Sequence, residues 1–145
     1  MPTILKSALV PYPNDTLYRL VNEAEHYPEF LPWCRSARVL SRSDTEQCVE
    51  LEVMRLGIRQ VFSTCNRMSP PFRIELALRQ GPFSEFQGIW NFIPLRENAC
   101  RIEFRLHFEF SNLLLDKAFG AVFQQIANTL VDAFCQRARE IHGHR

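Results

Sequence analysis

The sequence predicts an α+β fold, and three observations carry the prediction. Residues from Asn112 to His142 recur with helical periodicity. Between Arg35 and Phe110 the apolar period falls to two. Short polar or proline-bearing turns separate the period-two runs, which makes consecutive strands antiparallel neighbours. No repeat, low-complexity tract or linker divides the chain, so residues 1–145 read as a single domain.

Thr3 to Val10 forms a first strand, closed by Pro11 and Pro13. Asn14 or Asp15 caps a helix that buries Leu17, Leu20, Val21 and Ala24. Pro28 and Pro32 then forbid a continuous helix, because each lacks an N–H and restricts the residue before it. Tyr27, Phe30, Leu31 and Trp33 therefore occupy a short turn, read either as a hydrophobic plug or as a lid over a cavity mouth.

Ala37 and Val39 begin the period-two region, and Ser41 to Thr45 make a polar turn. Val49, Leu51 and Val53 alternate with Glu50 and Glu52, as expected of a strand with one wet face. Gly57 interrupts, and Ile58 to Asn66 resumes less regularly. After the Met68 to Pro71 turn, Phe72, Ile74, Leu76 and Leu78 share a face; after Gly81 and Pro82, so do Phe86, Gly88, Trp90 and Phe92. The last strand is the cleanest, with Cys100, Ile102, Phe104, Leu106, Phe108 and Phe110 on its dry side.

The terminal helix is organised by Leu115, Phe119, Val122, Ile126, Leu130 and Ala133, spaced three or four apart. Phe123, Ala127, Val131 and Phe134 broaden the stripe beyond a coiled-coil seam. Asn112 suits the N-cap, and Arg137 and Arg139 suit the negative end of the dipole. At roughly 1.5 Å per residue the helix is about 45 Å long, enough to cross a small domain. The dry sheet face and this stripe must bury each other.

With 17 basic and 16 acidic residues, the net charge of +1 argues against a broad phosphate footprint and against DNA as a partner. The first residues lack the apolar core of a signal peptide, and no run of about 20 apolar residues spans a bilayer. The expectation is a cytoplasmic protein. Five scattered cysteines without a C-x-x-C pair read as buried reduced thiols rather than as a metal or disulfide framework.

Grounds for catalysis are weak. His107 lies on a wet strand face, His142 and His144 lie in the tail, and His26 stands alone before the aromatic turn. Glu50 and Glu52 share a face, but a solvated one. No Walker loop, G-x-G-x-x-G or G-x-S-x-G occurs, so no catalytic or metal-ligating residue is assigned. Arg55 keeps the parity of Leu51 and Val53, and its burial would reopen the question.

The 12 phenylalanines are the unusual feature. They fill either a solid core or the walls of an apolar cavity, because a curved sheet and a crossing helix need not touch throughout. In the cavity reading, Leu51, Val53, Leu76, Trp90, Phe104 and Phe108 face a ligand from the sheet. Phe119, Val122, Phe123 and Ile126 face it from the helix, and Tyr27, Phe30 and Trp33 gate the entrance.

Three blocks carry a resemblance over nearly the whole chain: VPYPNDTLYRLVNEAEHYPEFLPWC at 10–34, GPFSEFQGIWNFIPL at 81–95, and FEFSN at 108–112 followed by DAFCQRARE at 132–140. They resemble the coenzyme Q-binding and ribosome-association-toxin family, within the START-like, polyketide-cyclase-like superfamily. The resemblance implies a helix-grip fold, a curved antiparallel sheet around the C-terminal helix with an apolar tunnel. It implies two functions. One is non-enzymatic binding of coenzyme Q or a related prenyl lipid for respiratory electron transport, with transient membrane contact. The other is binding of the large ribosomal subunit so as to hinder subunit joining, for which Arg35, Arg38 and Arg42, and Arg137, Arg139 and Arg145, are the basic clusters. The superfamily also contains cyclases. The absence of a transit segment suits a bacterial member.

Overall fold

The period-two runs become seven strands. The computed structural model describes residues 3–143. Its strands are β1 (Thr3–Val10), β2 (Cys34–Arg42), β3 (Glu46–Arg55), β4 (Ile58–Ser69), β5 (Arg73–Gln80), β6 (Phe83–Arg96) and β7 (Ala99–Phe110). They form one sheet in the order β1-β7-β6-β5-β4-β3-β2, antiparallel throughout. Helix α1 (Asn14–Asn22) and a 3₁₀ turn (Ala24–Glu29) separate β1 from β2, and helix α2 (Leu113–His142) follows β7. This is the helix-grip architecture expected.

The sheet curves because its register slips. β2 shifts against β3 between Cys34 and Ser36 and again between Val39 and Ser41. β6 shifts against β7 near both of its ends. Each extra residue bends the strand and increases local twist. β5 pairs with β6 only from Arg73 to Ala77, after which the two strands part. Every dry-face residue of β7 from Cys100 to Phe110 is buried, and α2 lays Phe119, Phe123, Ile126, Val131, Phe134 and Ala138 against the concave side. The Asn112 side chain caps α2 as expected, its Oδ1 accepting from the Leu115 N–H at 2.8 Å.

Three local expectations are corrected. The N-cap of α1 is Pro13, with no side-chain cap. Asn14 already lies inside the helix, and its amide donates to the Pro71 carbonyl at 3.1 Å, tying α1 to the β4–β5 turn instead. Phe72 lies before β5 and is 53% exposed, so the dry face of that strand starts at Ile74. The reading of five reduced thiols also fails. Cys48 and Cys65 are direct partners across β3 and β4, and they form a disulfide. Register decides this, since it brings their Cα atoms to 4.0 Å. Cys34, Cys100 and Cys135 remain free and buried; burial pushes the thiols of Cys34 and Cys100 up to about 11, which keeps them protonated and unreactive. His144 and Arg145 lie outside the described residues.

Candidate functional site

Concave sheet and helix do not close on each other completely. Between them lies an interior cavity of about 90 Å³, walled by β3 to β7, the middle of α2, the end of α1 and the 3₁₀ turn. Leu51 and Val53 enter from β3, Leu76 from β5, Trp90 from β6 and Phe104 from β7. Phe123 and Ile126 enter from α2. Gly88 helps shape this wall. It faces Leu76 on β5 and Leu106 on β7, and a Cβ there would lie 2.9 Å from the Leu76 side chain.

Three of the residues expected to face a ligand lie elsewhere. Phe108 and Phe119 are fully buried in an aromatic plug at one end of the grip. There Phe83 stacks on Phe110 at 4.9 Å, and Phe108 meets Phe123 edge-on at 4.8 Å. Rings at these spacings leave no free volume. Val122 is half-buried and packs on the core without reaching the cavity. The two readings of the phenylalanines therefore each hold for part of the molecule: a solid plug at one end and a cavity in the middle.

The aromatic turn behaves as a wall. Tyr27 and Trp33 line the cavity, and Phe30, outside the lining, packs edge-on against Tyr27. Tyr27 is pinned by its hydroxyl, which donates to the Val21 carbonyl, and burial raises its pKa so that it stays neutral. Trp33 is held through its own carbonyl, which accepts from the Met54 N–H at 2.8 Å. Phe134 of α2 ties the turn to the interior. Its ring lies edge-on to Tyr27 at 5.5 Å, Phe30 at 5.4 Å and Trp90 at 5.4 Å. On the outside, the Arg137 guanidinium sits 4.9 Å over the Phe30 ring and bonds Glu29 at 2.9 Å.

Several lining residues were not anticipated. Val21, Asn22 and Ala24 come from α1 and the 3₁₀ turn. Phe62, Thr64 and Asn66 come from β4, where the alternation of positions 62, 64 and 66 was the available signal. Among the described residues, no Asp, Glu, Lys, Arg or His lines the cavity. Arg55 is half-buried beyond the lining, with its Nε enclosed and unpartnered among the described residues. His26 is exposed and bonds Glu29, and His107 bonds Thr3 and Glu85. The basic clusters are largely paired: Arg35 with Glu52, Arg38 with Glu50, Arg42 with Glu25 and Arg137 with Glu29.

The family described as polyketide cyclase / dehydrase and lipid transport matches residues 10–135. The chain belongs to this family. A Pseudomonas aeruginosa protein named ribosome association toxin RatA is 45% identical over 140 residues, covering 97% of each chain. A Xenopus laevis protein named coenzyme Q-binding protein COQ10 homolog B, mitochondrial, is 25% identical, covering 97% of this chain and 59% of its own. Among solved structures, an 18 kDa protein from Caulobacter crescentus is 31% identical with a TM-score of 0.76, covering 99% of both chains. A Streptomyces aromatase/cyclase superposes with a TM-score of 0.84 at 15% identity, over 97% of this chain and 96% of its own, which is a likeness of fold. No helix here is long and apolar enough to cross a membrane among the described residues.

Proposed function

We propose that the chain binds a hydrophobic ligand of the isoprenoid-quinone class, such as coenzyme Q, without transforming it, and in that way supports respiratory electron transport. The observation that carries this reading is an interior apolar cavity to which, among the described residues, no Asp, Glu, Lys, Arg or His contributes, while the lining phenol of Tyr27 is already engaged with the Val21 carbonyl. Burial at about 25 cal/mol per Å² supplies the affinity. The cavity of about 90 Å³ is smaller than the roughly 300–1,000 Å³ of pockets that enclose drug-sized ligands. A prenyl tail therefore enters only when the turn carrying Tyr27, Phe30 and Trp33 swings from α2, and a ligand drawn from a bilayer implies transient membrane contact. Leu51, Val53, Leu76, Trp90, Phe104, Phe123 and Ile126 are the proposed contacts in the closed form. Phe108, Phe119 and Val122 join them only if the plug loosens. Lipid extraction of the protein purified from its native host, followed by mass spectrometry, tests the reading. The expected result is a co-purifying prenyl lipid; its absence, together with no saturable uptake of added quinone, overturns it.

A second reading is binding to the large ribosomal subunit, hindering subunit joining. The name and the full-length match of the Pseudomonas relative favour it. Arg35, Arg38, Arg42 and Arg137 already bond carboxylates of this chain, so an RNA contact through them would first break those pairs. Sedimentation through sucrose with added protein decides it: co-sedimentation with ribosomal particles and a raised ratio of free subunits are expected. An unchanged profile removes the reading.

A further inference from the structure

We propose that the cavity has a polar pole built for an uncharged, hydroxyl-bearing head group, which for an isoprenoid quinone is the reduced hydroquinone form, so that its ligand is a neutral amphiphile and not a carboxylate, a phosphate or a bare hydrocarbon. The proposal rests on the ligand-binding reading above and specifies the ligand's head.

Apart from Tyr27, whose hydroxyl is taken up by the Val21 carbonyl, three side chains with amide or hydroxyl groups interrupt the apolar lining: Asn22, Thr64 and Asn66. They belong to one place in the fold. Gln47 is 1% exposed and lies opposite Asn66 in the β3–β4 register. Its Nε2 donates to the Asn22 carbonyl at 2.9 Å, which fastens the end of α1 to β3. Its Oε1 accepts from the Arg42 Nε at 2.6 Å, and Arg42 in turn bonds Glu25 at 3.1 Å. This chain of contacts fixes Asn22 through its backbone and leaves its side chain unused.

The unused groups are complementary. The Asn22 Oδ1 is buried and accepts no hydrogen bond among the described residues, an exception to the usual satisfaction of buried polar atoms. Across β4, the Thr64 hydroxyl donates to the Asn66 Oδ1 at 2.8 Å. That bond orients the Asn66 amide and leaves its NH2 group without a partner among the described residues. A hydroxyl answers both, donating to the Asn22 Oδ1 and accepting from the Asn66 Nδ2. A carboxylate can donate nothing to Asn22, and among the described residues the lining holds no cation to offset its charge. A hydrocarbon leaves the buried Asn22 Oδ1 unpaired. The tail of the ligand would extend from this pole toward Phe62, Phe86 and Phe123, which line the cavity beside the aromatic plug.

The chain's two tryptophans, Trp33 and Trp90, both line the cavity, so their fluorescence reports occupancy. Titrations with geraniol, geranic acid at about pH 8 and the hydrocarbon of the same skeleton compare three heads on one tail. Geraniol is expected to bind about tenfold tighter than either of the others, equivalent to about 1.4 kcal/mol. Replacing both amides, Asn22→Leu with Asn66→Leu, is expected to bring alcohol and hydrocarbon to within about twofold. If that variant does not fold, the wild-type ratio alone decides. Saturable hydrocarbon binding with no advantage for the alcohol, or geranate binding as tightly as geraniol, overturns the polar pole and leaves the ligand-binding reading standing. Failure of all three to perturb either tryptophan overturns both.

Discussion

Glu29 and Arg137 are 108 residues apart in sequence and 2.9 Å apart in space. The bond joins the 3₁₀ turn to the last third of α2 directly above the cavity wall, and the same guanidinium covers Phe30. It is the outermost of the contacts that keep the turn closed, with the Phe134 ring beneath it.

Arg137→Ala is therefore expected to act on exchange more than on stability. It removes a solvent-facing ion pair and a cation–π contact, the latter worth about 0.5–1 kcal/mol at an exposed site. Stopped-flow dissociation of a bound prenyl probe should be several-fold faster, with a small fall in the urea midpoint. Unchanged dissociation would show that the turn is not the gate.

The same carboxylate makes a pH-dependent partner of His26, whose Nδ1 lies 2.7 Å from it. The hydrogen bond that His26 donates to Glu29 raises the His26 pKa above its ordinary 6.5 and holds the Glu29 carboxyl below its ordinary 4.5. The stabilisation from His26 is full below 6.5 and is lost as pH rises through the elevated folded value. That from Glu29 is present above 4.5 and lost as pH falls through its depressed value. NMR titration should find His26 titrating above 6.5, and Glu29→Gln should return it to the ordinary range. No change in that variant removes the pairing.

Trp90 and Phe30 separate core from gate. Trp90 is 3% exposed and stacks on Phe104 at 4.3 Å. Trp90→Ala should cost about 3–5 kcal/mol, toward the lower end because one side already faces free space. Phe30→Ala should lower stability less and speed ligand release. If Phe30→Ala instead unfolds the domain at unchanged release rates, the turn is a plug.

Leu56 has φ of +54° and Gly57 has φ of +80°, so both hairpin positions between β3 and β4 are left-handed. Such turns favour Asn-Gly, and a leucine is strained there. Leu56 is also 80% exposed, so no packing offsets the strain. Leu56→Asn should raise stability by up to about 1 kcal/mol, read from urea unfolding. A loss of stability would assign the leucine a packing role.

The Cys48–Cys65 bond closes a loop of 17 residues, for which chain entropy suggests about 3 kcal/mol of stabilisation. Thiol titration of the unfolded, unreduced chain should count three free thiols, rising to all five after reduction. Five before reduction would exclude the bond in solution.

Local pattern exposed most of the fold. Alternation in β7 and the stripe of α2 each announce one buried face, and Asn112 marks the helix start within a residue. What stayed hidden depends on register and on distance along the chain. Cys48 meets Cys65 only because Gln47 pairs with Asn66 and Val49 with Thr64. The cavity's third wall, Val21, Asn22 and Ala24, sits in α1 and the 3₁₀ turn, whose own pattern reports only that Val21 and Ala24 face inward. Phe108 and Phe104 share a strand face, and their division between plug and cavity is set by the rings that meet them from β6 and α2.

β1 and β7 are neighbours, yet Thr3 faces His107, 104 residues further on. A chain emerging from the ribosome therefore carries its first strand unpaired until almost the entire sheet has been made. Closing so long a loop is entropically costly and slow, and an unpaired strand meanwhile offers free N–H and C=O groups to other chains. Nascent chains arrested before Ala99 would lack any β7 for β1 or β6 to join. Biosynthesis of this fold is thus exposed to termination before Ala99, which removes the partner of both β1 and β6.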